Sequence, residues 1–333
     1  MATPAAIQQL PLVCPGHNRG VVELNYSGTT PDGVFFISAC LDGKPMLRDG
    51  VSGDWIGTFD GHKGAVWSAA ITPDATLAAT GAADFTARLW DALTGDSLAV
   101  LPQAHICKSV SFSSTADRLL TAGAMAAISV YDVALGVAPP LSTLTDGELA
   151  AGTKPPGVKF VRYVGTSPHS VVSASNSPRD SFLCTWDVRT GGAPTGRMEL
   201  TAGVRSAELC ADGTTLVVVT DDSKVHVLDA STGAVLREPL QVAEATESAS
   251  LQLPGRKRLV TGGRDLEVHA YDYETGAELE SLRGHHGPVW AVRHAPDGET
   301  FASGSDDATV RIWRSNPQPN CGAAAGGATN GGA

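Results

Sequence analysis

Short stretches of alternating apolar and polar residues, cut by turn-forming residues, run the length of this chain. Residues 217–229, VVVTDDSKVHVLD, show the rule: an apolar run, an Asp-bearing hairpin, then Val225 and Val227 alternating with polar neighbours. Alternation with a period of two puts successive side chains on opposite faces of a pleated strand, so each run predicts a strand. The punctuation is regular. Thr94-Gly95, Thr232-Gly233 and Thr275-Gly276 mark a turn after the third strand of a unit, where glycine takes a positive φ without a Cβ penalty. The tripeptide PDG, at 31–33 and again at 296–298, marks the turn between first and second strands.

The units repeat. Each closes on an aromatic-Asp pair or its replacement: Arg48-Asp49, Trp90-Asp91, Tyr131-Asp132, Trp186-Asp187, Leu228-Asp229, Tyr271-Asp272 and Trp313-Arg314. The steps between them are 42, 41, 55, 42, 43 and 42 residues. Units of that length, opening on Gly-His and closing on Trp-Asp, are the signature of WD repeats, each folding as a blade of four strands. The expected fold is all-β, a seven-bladed WD-repeat β-propeller over residues 1–314. About 13 extra residues in the long step are placed within 136–167, around VAPPLSTLTDGELAAGTKPPG. Unit seven ends at Trp313 without a fourth strand, while Leu10–Cys14 precedes the first Gly-His without a blade of its own. That segment is expected to complete blade seven, closing the ring and leaving no open inner seam. The tail, 315–333, ends CGAAAGGATNGGA; it offers too little apolar surface to order itself and is expected to be disordered.

Composition narrows the class. The chain has 333 residues, 42% hydrophobic but only 6% aromatic, with 37 glycines and 20 prolines, which favours many turns and short strands. Its net charge of −11 argues against a direct grip on a nucleic-acid backbone, which needs a basic stripe. Six cysteines, at 14, 40, 107, 184, 210 and 321, are widely spaced without a CxxC pair. Reduced, mostly buried thiols of an intracellular protein fit that spacing better than a zinc cluster or a disulfide framework. The start, MATPAAIQQLPLV, has no secretory pattern, and nowhere do 18 apolar residues run together, so no membrane span is expected.

Two units carry a full polar tetrad: His62, Thr80, Asp84 and Trp90 in unit two, His285, Ser303, Asp307 and Trp313 in unit seven. A hydroxyl, an imidazole and a carboxylate together invite a hydrolase reading. In WD repeats, however, the indole donates to the hydroxyl, the hydroxyl to the imidazole and the imidazole to the carboxylate, so the hydroxyl is occupied on both sides. No GxSxG elbow accompanies them. They are read as structural. Unit one keeps His17, Ser38 and Asp42 but has Arg48; unit three keeps His105, as its expected opener, and Thr121, with Met125 for the Asp. Unit six keeps Asp265 and Tyr271 without an obvious histidine, and unit five has neither Gly-His nor Trp. Closure is therefore expected to rest mainly on apolar packing between blades. There is no phosphate-binding loop or dinucleotide fingerprint, and His285-His286 lacks partners at metal spacing; no catalytic residue, cofactor or metal is expected.

The stretches ISACLDGKPMLRDGVSGDWIGTFDGHKGAVW (37–67), AADFTARLWDALTGD (82–96), YDYETGAELESLRGHHGPV (271–289) and PDGETFASGSDDATVRIW (296–313) resemble the serine-threonine kinase receptor-associated (Unr-interacting) protein family. The likeness weakens between about 124 and 255. The i subunit of translation initiation factor 3 shares a GHxGAVW-like passage and gives the alternative reading. The resemblance implies a non-enzymatic adaptor, similar to a subunit of the SMN complex that loads Sm proteins onto spliceosomal small nuclear RNAs. It also implies association with SMN and Gemin proteins, Unr, and the TGF-β receptor and Smad proteins. On that likeness the chain is expected in cytoplasm and nucleus, as a monomer within a larger complex, without direct nucleic-acid contact. Arg48 looks like a feature of that family. A buried guanidinium without partners is costly, so it is expected to reach solvent or pair with Asp49 or Asp54, in a structural or a partner-contact role.

Gly-His loops and Asp hairpins should emerge on one face around the channel. Residues just after the His or just before the Asp are candidate contacts there: Trp67, Arg179, Arg264, Trp290 and Asp306. Trp and Arg dominate binding hot spots. The tryptophans could instead wedge between blades, and the arginines could simply be solvated.

Overall fold

A computed structural model describes residues 9–125, 127–134, 140–145, 157–175, 181–255 and 257–316. These fold into seven four-stranded antiparallel sheets, each built from consecutive strands except the last. Blade one runs over 21–58, two over 66–102, three over 107–145, four over 158–199, five over 204–241, six over 246–283 and seven over 289–314. The fourth strand of blade seven is Leu12–Cys14, paired Leu12↔Ile312, Val13↔Arg311 and Cys14↔Val310. The ring closes as the sequence implies, over a segment two residues shorter at its start.

Burial explains why the chain holds this shape. The apolar core is seven separate clusters, each filling the gap between two neighbouring sheets. One of them joins Cys14, Ala302, Val310 and Ile312 of blade seven to Val21, Leu24 and Phe36 of blade one, so the last gap is packed like the other six. Each fully buried Val, Leu or Phe contributes roughly 1.5–3 kcal/mol relative to exposure, and a ring left open would lose one such cluster entirely.

The turns follow their residues. Gly95, Gly233 and Gly276 have φ of +79°, +72° and +75°, and Gly298 of the second PDG has +71°. The extra residues of the long unit fall on both sides of Ser142–Thr145, the outer strand of blade three, which reaches Val158 of blade four only after a longer connection. The packed chain extends one residue past the expected boundary: Ser315 is buried and its N–H donates to the Glu299 carbonyl at 2.8 Å. The rest of the expected tail, from 317, lies outside the described residues. No helix among the described residues is long and apolar enough to cross a membrane. The five described cysteines are buried; Cys321 lies outside them.

Candidate functional site

The tetrads test the hydrolase reading. In blade two the Trp90 indole donates to Thr80 Oγ1 at 2.8 Å, that hydroxyl meets His62 Nε2 at 2.7 Å, and His62 Nδ1 lies 2.9 Å from Asp84 Oδ2. Blade seven repeats this with Trp313, Ser303, His285 and Asp307 at 2.8, 2.7 and 2.9 Å. Burial pulls both imidazoles below their usual pKa. For Asp84 burial acts upward but is outweighed by Thr86, the Lys63 N–H and His62, which hold the carboxyl low. Each hydroxyl is fully buried, accepts from the indole and has its proton committed to the imidazole, so it does not face a substrate.

Three blades depart from the expected pattern. In blade one His17 and Ser38 keep the imidazole–hydroxyl contact at 2.8 Å, but the hydroxyl turns to the Met46 carbonyl at 3.3 Å. Arg48, in the tryptophan position, neither reaches solvent nor meets Asp49 or Asp54: it is 3% exposed, and donates to the carbonyls of Gly53, at 2.9 Å, and Pro15. The expectation of a carboxylate partner is corrected, and burial removes Arg48 from the exposed contact residues. Two backbone carbonyls solvate the cation instead.

In blade three His105 is exposed and not the opener. Gln103 takes that place: Thr121 donates to its Oε1 at 2.9 Å, and its Nε2 donates to the Tyr131 hydroxyl at 3.1 Å. The spacing carried this signal, since Gln103 lies 18 residues before Thr121, as His62 does before Thr80 and His285 before Ser303. Blade six does hold a histidine: His269, two residues before Tyr271, spans Asp265 and Glu278 at 2.8 Å each. It sits where blades two and seven place Arg88 and Arg311, two residues before the closing aromatic and not in a Gly-His opening.

The channel face is where the blades act together. In each sheet the pairing of first and second strands slips after the first residue, leaving one bulged position: Val22, Trp67, Lys108, Lys159, Arg205, Glu247 and Trp290. A bulge re-aims a side chain out of the ladder. All seven bulged residues line one cavity of about 460 Å³ at a mouth of the channel. Sequence reasoning found two of them, Trp67 and Trp290, through their distance from a histidine. The others follow the first buried residue of an inner strand, a register visible only once the strands are paired.

The ring is polarised. Trp290, Val22 and Trp67 occupy consecutive blades and form an apolar arc; Lys108, Lys159 and Arg205 follow as a basic arc, and Glu247 completes the circle. Trp67 is 38% exposed at this mouth. Trp290 is half-buried, donates to Asp306 at 3.4 Å, and has the Arg264 guanidinium 5.9 Å from its ring. Arg264 also pairs with Glu247 at 2.7 Å. The structure thus brings Trp290, Arg264 and Asp306 together beside Glu247, with Trp67 on the same mouth; Arg179 lies outside the described residues. Deeper in the channel, Glu23 meets Arg162 at 2.5 Å and Glu208 meets Arg293 at 3.7 Å. Beyond these pairs a second mouth, of about 270 Å³, is lined by Asn25, Tyr26, Arg162, Glu208 and His294 among others.

Among the described residues His17, Cys40 and Asp42 gather three possible metal-ligand atoms. His17 and Asp42 are already committed to the blade-one hydrogen bonds, and the Cys40 thiol donates to the Arg19 carbonyl at 3.1 Å. Burial pushes that thiol up to about 12, which disfavours the thiolate a metal needs.

The WD domain, G-beta repeat, matches residues 53–91 and 276–314. The serine-threonine kinase receptor-associated protein of Rattus norvegicus is 44% identical over 312 residues, covering 93% of this chain and 83% of the relative. That of Dictyostelium discoideum is 37% identical over 309 residues, covering 91% and 98%. Subunit I of eukaryotic translation initiation factor 3 from Nematostella vectensis is more distant, at 25% over 328 residues, covering 92% and 97%. With seven blades, a strand-closed ring and this degree of identity over nearly its whole length, the chain belongs to the serine-threonine kinase receptor-associated protein family of WD-repeat propellers.

Proposed function

We propose that the chain is a non-enzymatic scaffold whose channel mouth, around Trp67, Trp290 and Arg264, binds a protein partner within a ribonucleoprotein-assembly complex of the SMN type. The observation that carries the reading is the exposed tryptophan at a bulge, on the same mouth as a second tryptophan flanked by Arg264. Aromatic and arginine side chains on a concave rim are what binding hot spots are made of. The family resemblance supplies the partners: SMN and Gemin proteins and Unr, with TGF-β receptor and Smad proteins as a second role that accords with the relatives' name. On this reading the protein works in cytoplasm and nucleus, as one copy within a larger assembly, and touches RNA only through its partners.

The test is affinity purification with mass spectrometry of the wild type and of a variant carrying Arg264→Glu and Trp290→Ala, both checked for intact folding by circular dichroism. Recovery of SMN and Gemin proteins by the wild type, and their loss from the variant, is the expected result. Recovery of 40S initiation factors would favour the alternative scaffold role. If every partner stays on a folded variant, this face is not the binding surface.

A further inference from the structure

The two arcs of the mouth are built for different chemistry, and their charges are unequally satisfied. Two of the acids at the cavity are already neutralised: Glu23 by Arg162 and Glu247 by Arg264, at 2.5 and 2.7 Å. Of the three cations, Arg205 is held by Asp221 at 3.0 Å and by three carbonyls. Lys108 and Lys159 have no carboxylate within ion-pair distance among the described residues; Lys159 donates only to the Val204 carbonyl, at 2.9 Å. Asp306 is exposed at the opposite side, beside Trp290. Lys108 and Lys159 therefore leave this side of the cavity with positive charge that no described carboxylate within ion-pair distance offsets. An anion seated between them would gain from the low-dielectric surroundings.

The geometry points to an acidic peptide segment as the occupant of this mouth, with Asp or Glu carboxylates on Lys108 and Lys159 and an apolar side chain against Trp67, Val22 and Trp290. This rests on the reading of the face as a protein-binding surface and adds the chemistry of the partner. The seven bulges support it, because they turn the rim side chains out of the ladders and toward a common space. Burial pulls the Lys159 pKa down, with the more distant Glu247 and Asp221 acting in the opposite direction, as a ligand carboxylate would. A nucleic-acid strand would share the anionic chemistry, but it would also meet the field of an acidic protein, which disfavours long polyanions.

Three blocked peptides test this: a short Glu-rich segment with one central Leu, and the same peptide with Gln or with Lys in place of Glu. Binding is read by quenching of tryptophan fluorescence and by calorimetry, with polyuridylate as a fourth probe. The Glu peptide is expected to bind saturably. Lys108→Glu with Lys159→Glu should weaken it by about tenfold or more, Trp67→Ala should weaken it without changing its salt dependence, and the melting temperature should confirm that each variant is folded. Equal binding of the Gln or Lys peptide, tighter binding of polyuridylate, no binding of the Glu peptide, or full affinity in the charge-reversed variant would each overturn the inference. If Arg264→Glu with Trp290→Ala strips cellular partners while the peptides show no charge preference, the face is right and this chemistry is wrong.

Discussion

Arg48 donates to the carbonyl of Pro15, one residue beyond the strand that closes the ring, and so ties that strand's exit to blade one. Its other amino group holds Gly53 in the outer turn of the same blade at 2.9 Å. Blades two and seven have tryptophan here, with an arginine two positions earlier; blade one has Arg48, with Met46 two positions earlier. The cation has moved from beside the aromatic into its place, and the interaction has changed from fastening strands within a blade to fastening two chain segments at the seam. Arg48→Ala is expected to leave the carbonyls of Gly53 and Pro15 without their donor and to destabilise the fold by about 1–3 kcal/mol, read as a lower urea midpoint. Arg48→Lys should recover only part of this, because one ammonium cannot reproduce the planar fork. A change within about 0.5 kcal/mol for Arg48→Ala would show that the seam does not depend on it.

Gly53 makes the same seam sensitive to volume. Its φ is +70°, and a Cβ there would lie 2.4 Å from the Cys14 thiol and 3.2 Å from side-chain atoms of both Leu12 and Ile312. Gly53→Ala therefore combines left-handed backbone strain with a clash against the closing strand, and should cost about 2 kcal/mol or more. Gly95, in the matching turn of blade two, has φ +79° with nothing within 4 Å; Gly95→Ala should show the backbone strain alone, about 1 kcal/mol. Limited proteolysis near residue 14 should accelerate in the first variant and not in the second. Equal midpoints would mean that the seam absorbs the methyl group.

Gln103 and His105 give a paired test of the blade-three fastener. Gln103→Ala removes the acceptor for the buried Thr121 hydroxyl and the donor to Tyr131, so about 1–3 kcal/mol of stability should be lost. His105→Ala should fall within about 0.5 kcal/mol, since His105 is exposed, accepts from the backbone N–H next to it, and meets Phe85 at a tilt with ring centroids 5.5 Å apart. Denaturant midpoints of the two variants decide which residue opens the blade. The reverse order would restore His105 to that role.

These cases show where sequence reasoning reached and where it stopped. Blade number, strand order and the borrowed strand were legible because they depend on period and pattern, and period survives the loss of any one residue. Trp90 could be replaced by Arg48, Tyr131 or Leu228 without moving the unit boundaries. The partners of Arg48 were not legible, since backbone carbonyls carry no sequence signal and a carboxylate is the partner that residue types suggest. Gln103 was hidden by the nearby histidine, although the interval to Thr121 marked it. The ring of bulged residues was hidden for a different reason: a bulge depends on the register between two strands, and Lys108, Lys159 and Arg205 share no residue type with Trp67 or Trp290.

The channel wall makes a pH-dependent prediction. Glu208 is 8% exposed, and burial pushes its carboxyl up to about 7 from 4.5, against the pull of Arg293 and the Ser250 hydroxyl. Between those values the folded protein holds a proton that the unfolded chain releases. Glu208 thus contributes stability that is complete below pH 4.5 and is lost as the pH rises through about 7. The tetrads act in the other sense: burial holds His62 and His285 below 6.5, so the unfolded chain takes up protons first and their contribution is lost as the pH falls. Glu208→Gln removes the first dependence and leaves the second. Relative to wild type, the variant is therefore expected to gain stability as the pH rises from about 4.5 to about 7, on the order of 1.4 kcal/mol for each unit of the shift. Arg293 keeps its bonds to Ser248 Oγ and the Val292 carbonyl in the variant, so losing the carboxylate does not strand it. Urea titrations of both proteins across that range make the comparison, and the quantity to read is how their difference changes with pH. A difference that stays flat would mean that Arg293, at 3.7 Å, fully offsets the burial, and that the channel wall is an ion pair throughout the range.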